Sequence, residues 1–341
     1  QDFPLRLNLS VDNSGLESTG RHQGAVTLSW DHPLTLNDLF YVSVNRSLFV
    51  PSADPRGTEG NAVYYALPFG DWLLSASASR SHYQQAVANA QGVALYSGES
   101  ENQELKLSRT LARAAQRLTT AYLSAWARQA DNNVSGLQVK VQHRQTGGWE
   151  AGFTHRQILG NATLDLNAAY RRGTGAYGAT RLANETSEGS TRLRLMQVGA
   201  LYNLPFSLGR QQWRYTLTLR AQDAWTALLP QDRFSIGSRF TVRGFNEQSV
   251  LTADRGWLVR NDLGLSLGGS GQEAYVGVDY GKVTGRHTDE LAGTRLVGMA
   301  LGMRGSVLGV AYDVFAGRPL SGPEVLYGSG LNVGFSLSWS G

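Results

Sequence analysis

The chain has 341 residues, 41% of them hydrophobic, and its 31 basic and 27 acidic residues leave a net charge of only +4. Cysteine is absent and glycine (40) far outnumbers proline (9), which excludes a disulfide framework and thiolate metal sites and argues against a disordered or collagen-like chain. No dense Lys/Arg block makes nucleic acid an expected partner, and no run of about 18 apolar residues supplies a spanning helix.

No basic-then-apolar leader opens the chain, so any signal peptide is expected to have been removed already. Alternation of apolar and polar residues begins at once. Leu5, Leu7, Leu9 and Val11 interleave with Arg6, Asn8, Ser10 and Asp12, and Val26, Leu28 and Trp30 follow in the same rhythm. Trp72, Leu74, Ala76 and Ala78 oppose Ser75, Ser77 and Ser79; Leu137, Val139 and Val141 oppose Gln138, Lys140 and Gln142. The pattern returns over Leu164–Arg171 and Tyr215–Arg220, and Val333, Phe335, Leu337 and Trp339 close the series. Side chains of a strand point to opposite faces in turn, so each segment has one apolar and one wet side. Only over Leu111–Leu118 does a helical period compete.

The connections alternate as well. Short ones are expected at His32–Asn37, Phe69–Gly70, Gln157–Gly160, Pro205–Gln211, Gly268–Gln272 and Gly305–Val307. Long polar ones are expected at Asn13–Gln23, Ser47–Gly60, His82–Gln103, Gly173–Ser190, Gln222–Gly256, Thr284–Thr294 and Gly317–Leu331. The fold predicted is all-β: a transmembrane antiparallel β-barrel of about sixteen strands, both termini on the short-turn, periplasmic side. Trp30, Tyr41, Trp72, Trp257 and Trp339 lie at strand ends, where aromatic girdles form. A barrel this wide cannot be filled by wall side chains, so water or a piece of the protein must occupy its lumen. A soluble pair of β-sandwiches or a β-solenoid would also alternate, but explains neither the loop rhythm nor the aromatic last strand.

Gly173-Thr174-Gly175-Ala176-Tyr177-Gly178 matches G-x-G-x-x-G, yet no amphipathic helix follows to receive a pyrophosphate, and the run reads as a loop tip. The six histidines are scattered, none at metal-ligand spacing, and no G-x-S-x-G elbow appears. No catalytic residue, cofactor or metal is therefore expected, although a barrel phospholipase could gather Ser and His from separate strands.

The informative stretch is Phe240-Thr241-Val242-Arg243-Gly244-Phe245-Asn246-Glu247, a polar loop in which Gly244 lets the backbone fold back and aim Arg243 at a buried acid. On Asp254–Leu263 the apolar Trp257, Val259 and Leu263 share one face, which turns Arg260 and Asp262 inward. On Ala274–Gly281, Val276, Val278 and Tyr280 face lipid and Asp279 points inward, with Gly277 and Gly281 leaving room for another backbone beside it. Arg243 is the natural guest of Asp279. The competing reading leaves Arg243 on an exposed loop and Asp279 as a generic lumen charge.

Val242-Arg243-Gly244-Phe245, with Asp254-Arg255-Gly256-Trp257, Arg260-Asn261-Asp262 and Gly277-Val278-Asp279-Tyr280-Gly281, resembles the signature of the two-partner secretion transporters, the TpsB family. Ser10–Gly15, Ser18–Arg21, Asp31–Leu34 and Ala169–Ala176 are similar to the same family, so the resemblance runs nearly end to end. Contact-dependent inhibition transporters, haemolysin activators and filamentous-adhesin exporters share it. The resemblance implies an outer-membrane translocation pore that exports a large TpsA-type exoprotein unfolded, with folding outside making transport one-way. Outer-membrane lipid or lipopolysaccharide and, during biogenesis, the barrel assembly machinery would be its other partners. Residues 1–341 are expected to be the barrel portion of a longer protein, since the family's plug helix, linker and two POTRA domains are absent from them. The Ser340-Gly341 tail after Trp339 also departs from the usual aromatic ending. A BamA-like insertase and a passive porin are the alternatives.

Overall fold

The structure is a computed structural model and describes residues 4–50, 56–89, 92–134, 137–138, 143–179, 189–245, 250–286, 288–328 and 330–341. In chain order its strands are β1 (Leu5–Asp12), β2 (His22–Asp31), β3 (Leu39–Leu48), β4 (Gly57–Phe69), β5 (Trp72–Asn89), β6 (Gly92–Ala114) and β7 (Arg117–Val134). They continue as β8 (Leu137–Gln138), β9 (Arg144–Leu159), β10 (Ala162–Thr174), β11 (Arg194–Leu208), β12 (Gln211–Ala224), β13 (Phe234–Ile236) and β14 (Leu251–Ala253). The last five are β15 (Arg255–Ser266), β16 (Glu273–Thr284), β17 (Arg295–Val307), β18 (Val310–Ser321) and β19 (Asn332–Ser340).

Sixteen of these close into one antiparallel barrel, each hydrogen-bonded to its neighbours in sequence, with β7 followed by β9 and β12 by β15. Closure satisfies every wall strand on both edges, as a span through lipid requires. The closing pair, β1 on β19, runs from Asn8 opposite Ser340 to Asp12 opposite Ser336. Two-residue turns join β4–β5, β6–β7, β9–β10, β11–β12 and β17–β18, and short segments (32–38 and 267–272) join β2–β3 and β15–β16, all on one rim, where both chain ends also lie. The turn at Leu308–Gly309 has φ of 52° and 80°, the mirror-image geometry that matches strand twist. Longer segments connect the strands on the opposite rim, except β5 and β6, whose ranges are separated by residues 90–91 alone. The outer face is apolar and exposed, as Val26, Leu28, Val44, Leu105, Leu123 and Val278 show. Exposed Trp30, Trp72 and Trp339 stand near the short-turn end and Trp257 near the other, where it stacks on Tyr280 at 4.9 Å.

Four expectations change. His82–Gln103 is not a loop: β5 and β6 carry on as a paired ribbon through Gln84 opposite Ser97 and beyond. Ser97–Gln103 of β6 is polar at both parities, so alternation failed to mark the ribbon. The Leu137–Gln142 segment contributes no barrel strand; Leu137–Gln138 folds back on Asn133–Val134, the wall resumes at Arg144, and 139–142 lie outside the described residues. Leu111–Leu118 is strand, turn and strand, with a bulge between Thr110 and Ala112. Tyr41 is not a girdle residue: it pairs opposite Ser29 and Tyr64 on the lumen face and stacks on Tyr64 at 4.9 Å.

Candidate functional site

The connection from β12 to β15 turns into the barrel instead of outward. It makes a single 3-10 turn at Pro230–Asp232 and a short antiparallel ribbon, β13 on β14, with Phe234 opposite Ala253 and Ile236 opposite Leu251. The ribbon carries its own apolar surface. Phe234, Ile236, Val242, Phe245, Leu251 and Ala253 pack on Leu258, Val283, Leu296 and Leu326 of the wall and rim, forming a core inside the lumen. At about 25 cal/mol per Å² of apolar surface removed from water, this burial is the non-directional part of docking. Phe245 is an anchor: it is 1% exposed and meets the Tyr327 ring at 6.0 Å. Asn246 and Glu247 lie outside the described residues.

The directional part is polar. Arg243 is 2% exposed and Asp279 fully buried. The Arg243 backbone N–H and Nε both donate to Asp279 Oδ2, at 3.0 and 2.7 Å, and Nη2 donates to Asp279 Oδ1 at 2.7 Å. Nη2 also donates to Asp262 Oδ1 at 2.5 Å, so one guanidinium spans acids on β15 and β16. The register explains why both acids are available: Asp262 lies opposite Gly277, one pair along from Arg260 opposite Asp279 on the same face. Burial alone would depress the Arg243 guanidinium, but the hydrogen bonds and charge of Asp279, then Asp262, outweigh it and hold the group above the ordinary arginine value. The cluster continues outward. Arg260 Nε lies 3.9 Å from Asp279 Oδ1, Arg304 Nη1 3.7 Å from Asp262 Oδ2, and Tyr275 donates to Asp313 at 2.8 Å.

Backbone must come as close as side chains do. A Cβ at Gly277 would overlap the Arg243 guanidinium and Asp262, and one at Gly281 would lie 2.8 Å from Val242 Cγ2. Gly244 itself has φ of 97° and packs against the Arg318 backbone of β18. Sequence reading missed the second half of this seat. Gly298 on β17 lies under the Arg243 carbonyl and Gly317 on β18 under Gly244, glycines whose only signal is their lumen-facing parity.

A further contact was also missed. Arg239 Nη1 donates to Asn13 Oδ1 at 2.8 Å and Nη2 to the Phe335 carbonyl at 3.3 Å, while Arg260 Nη1 donates to the Arg239 carbonyl at 3.2 Å. Asn13 in turn accepts from the Phe335 N–H at 2.8 Å and donates to the Val333 carbonyl at 2.9 Å. The loop thus reaches from the Arg243 seat to the edge where the barrel closes. On the other flank Asp232 accepts from Arg128 of β7 at 3.1 Å. Gly173–Gly178 is the end of β10 and a 3-10 turn, with no helix behind it among the described residues.

The sequence profile of the family described as haemolysin secretion/activation protein ShlB/FhaC/HecB matches residues 1–305. Among curated proteins, outer membrane transporter CdiB-2 of Burkholderia pseudomallei is 34% identical over 98% of this chain, and hemolysin transporter protein HpmB of Proteus mirabilis 25% identical over 82%. Those alignments span 58% and 50% of the relatives' own lengths. CdiB from Acinetobacter baumannii superposes with a TM-score of 0.86 at 32% identity, over 99% of this chain and 60% of that one. A BamA structure from Haemophilus ducreyi shares the fold alone, at a TM-score of 0.66 and 9% identity. A sixteen-stranded barrel with a ribbon docked on paired aspartates and a profile match over most of its length make this chain a member of the ShlB/FhaC/HecB family, the TpsB transporters of the outer membrane.

Proposed function

We propose that this barrel is the translocation pore of a two-partner secretion system, passing a large TpsA-type exoprotein (adhesin, haemolysin or contact-dependent toxin) unfolded to the cell surface. The observation that carries the reading is the buried Arg243–Asp279–Asp262 set, which holds the ribbon inside the lumen, where a solute porin would need open water. The rim with tight turns and both chain ends is the periplasmic one. Docked, the ribbon braces β15–β18 and narrows the conduit; Arg243 and Asp279 fix it, Asp262 and Arg260 complete the charge balance, and Gly277 and Gly281 admit it. Lipopolysaccharide outside and the assembly machinery during biogenesis are the other partners.

Removing one member of a buried ion pair costs about 3–5 kcal/mol, because the partner is left charged and unpaired. Arg243→Ala and Asp279→Ala are therefore expected to impair exoprotein export while membrane abundance and heat-modifiable mobility stay normal. Secretion at wild-type levels in both variants would overturn the docking role.

An insertase is the second reading, and one observation favours it. The β1–β19 ladder is short, five residue pairs against eight in β1–β2. Asn13 and Arg239 close over that ladder, which favours a fixed seam. Assisted insertion of a second, unfolded barrel protein into vesicles carrying this one would reverse the preference.

A further inference from the structure

We propose that the exported chain runs along one wall of the lumen, an uncharged, hydroxyl-lined track formed by β1–β5 and the turn-rim half of β19 (Ser336–Ser340), beside the docked ribbon. The proposal rests on the export reading above. Residues directly opposite on paired strands share a face, so the inward Asp262 and Asp279 fix the lumen side all the way around. Following the register from Glu273 through Arg304, Asp313 and Ser336 places Ser338, Ser10, Thr27, Ser29, Ser43 and Ser77 inside. Between Asp12 at one end and the Arg6–Asp31 pair (2.7 Å) at the other, the lumen-facing positions of these six strands hold no Asp, Glu, Lys or Arg among the described residues. They hold serine, threonine, asparagine, alanine and glycine, with Tyr41 stacked flat on Tyr64.

The rest of the wall differs in kind. From β6 onward it carries Lys106–Glu104 at 3.2 Å, Arg156–Asp165 at 2.5 Å and Arg214–Glu273 at 2.6 Å, besides the Arg243 set. Two of the ribbon's polar anchors fall on that side, Asp232 on β7 and Arg243 on β15 and β16, while Arg239 reaches Asn13 and Phe335 at the long-loop end of β19, beyond Ser336–Ser340. Apart from that clamp, charge and loop occupy the same part of the barrel, and small neutral residues face the part that remains.

An unfolded chain of any sequence brings charges of both signs past each point. Two unit charges in contact interact several times more strongly near a protein surface than in bulk water, enough to hold or repel a passing residue. A hydroxyl offers one donor and two acceptor lone pairs to any backbone group and favours neither sign. Small side chains also widen the passage.

A rival exists: a cavity of about 850 Å³ between the ribbon and the wall of β9–β12, lined in part by Arg156, Asp165, Asn167, Leu201, Thr218 and Arg220. The test places a benzophenone amino acid at Ser29, Ser77 or Ser338, and separately at Asn167, Leu201 or Thr218, in the full-length transporter. The probe is an epitope-tagged fragment of a TpsA-type exoprotein co-expressed with the transporter, irradiated during export. Adducts on the first three positions are expected in about tenfold excess, the ratio that ~1.4 kcal/mol of preference gives. Equal or heavier labelling at the second three, or none at either set while secretion continues, overturns the track. Absence of secretion from unsubstituted cells would count against the export reading itself. As a second measurement, Ser43→Glu should slow export severalfold while size-matched Ser43→Gln stays near wild type; equal effects of the two would also overturn it.

Discussion

A methyl group at position 298 would overlap the Arg243 carbonyl oxygen, an atom held in place by the guanidinium on the same residue. Neither side can give way without lifting the loop. Gly298→Ala on β17 therefore acts on docking without touching a charge, and overpacking of this kind costs roughly 1–3 kcal/mol. In purified protein the expected result is faster proteolytic cleavage within residues 230–256, with the wall strands still resistant. An unchanged cleavage rate would mean that the seat is looser than drawn. Arg243→Lys separates charge from geometry at the same place. An ammonium keeps the charge but cannot span Asp279 and Asp262 with a planar fork, so export should fall between wild type and Arg243→Ala.

Among the elements, the closing ladder is where the ribbon bears on the barrel as a whole. Asn13 Oδ1 accepts both the Phe335 N–H and Arg239 Nη1, so a single side chain extends the β1–β19 pairing and ties it to the loop. Arg239→Ala and Asn13→Ala should each lower the temperature at which the folded, detergent-resistant form is lost. The double variant should cost less than the sum of the singles, since residues in one hydrogen-bond network couple by about 0.5–3 kcal/mol; strict additivity would show that the contacts act independently. The sequence could not announce this clamp, because its partners stand 226 positions apart. What it did disclose were features with a local period. Leu5–Asp12, Trp72–Ser79 and Val333–Trp339 alternate because one face meets lipid, and the same parity turned Asp262 and Asp279 inward. Parity also hid things. The Leu258, Val283 and Leu296 that seat the ribbon are apolar residues on the wet face, and Tyr41 lies near a strand end like a girdle residue yet points inside. Where Ser97–Gln103 of β6 is polar at both parities, the period vanished and strand read as loop.

For the molecule as a whole, the division of the lumen sets what an electrical measurement should see. Sixteen strands enclose a space wide enough for an aqueous channel, but the ribbon and the charges that hold it take up one side. In planar bilayers the intact protein is expected to give small or flickering currents, since the open cross-section lies beside β1–β5 and Ser336–Ser340 of β19 and varies with small movements of the ribbon. Arg243→Ala loosens the ribbon and should raise both mean conductance and its fluctuation. Excising residues 234–253 should give a steady conductance roughly severalfold larger, the signature of an unoccupied barrel of this width. That variant also separates two consequences of docking. If the ribbon only narrows the pore, export should persist or increase when it is removed. If it presses the cargo onto the neutral wall, export should fall although the pore is wider, and the second outcome is expected because the charged wall, with Arg220, Arg260 and Arg304, would then lie open to the passing chain. A large steady conductance from the unaltered protein would instead mean that the ribbon does not obstruct the lumen.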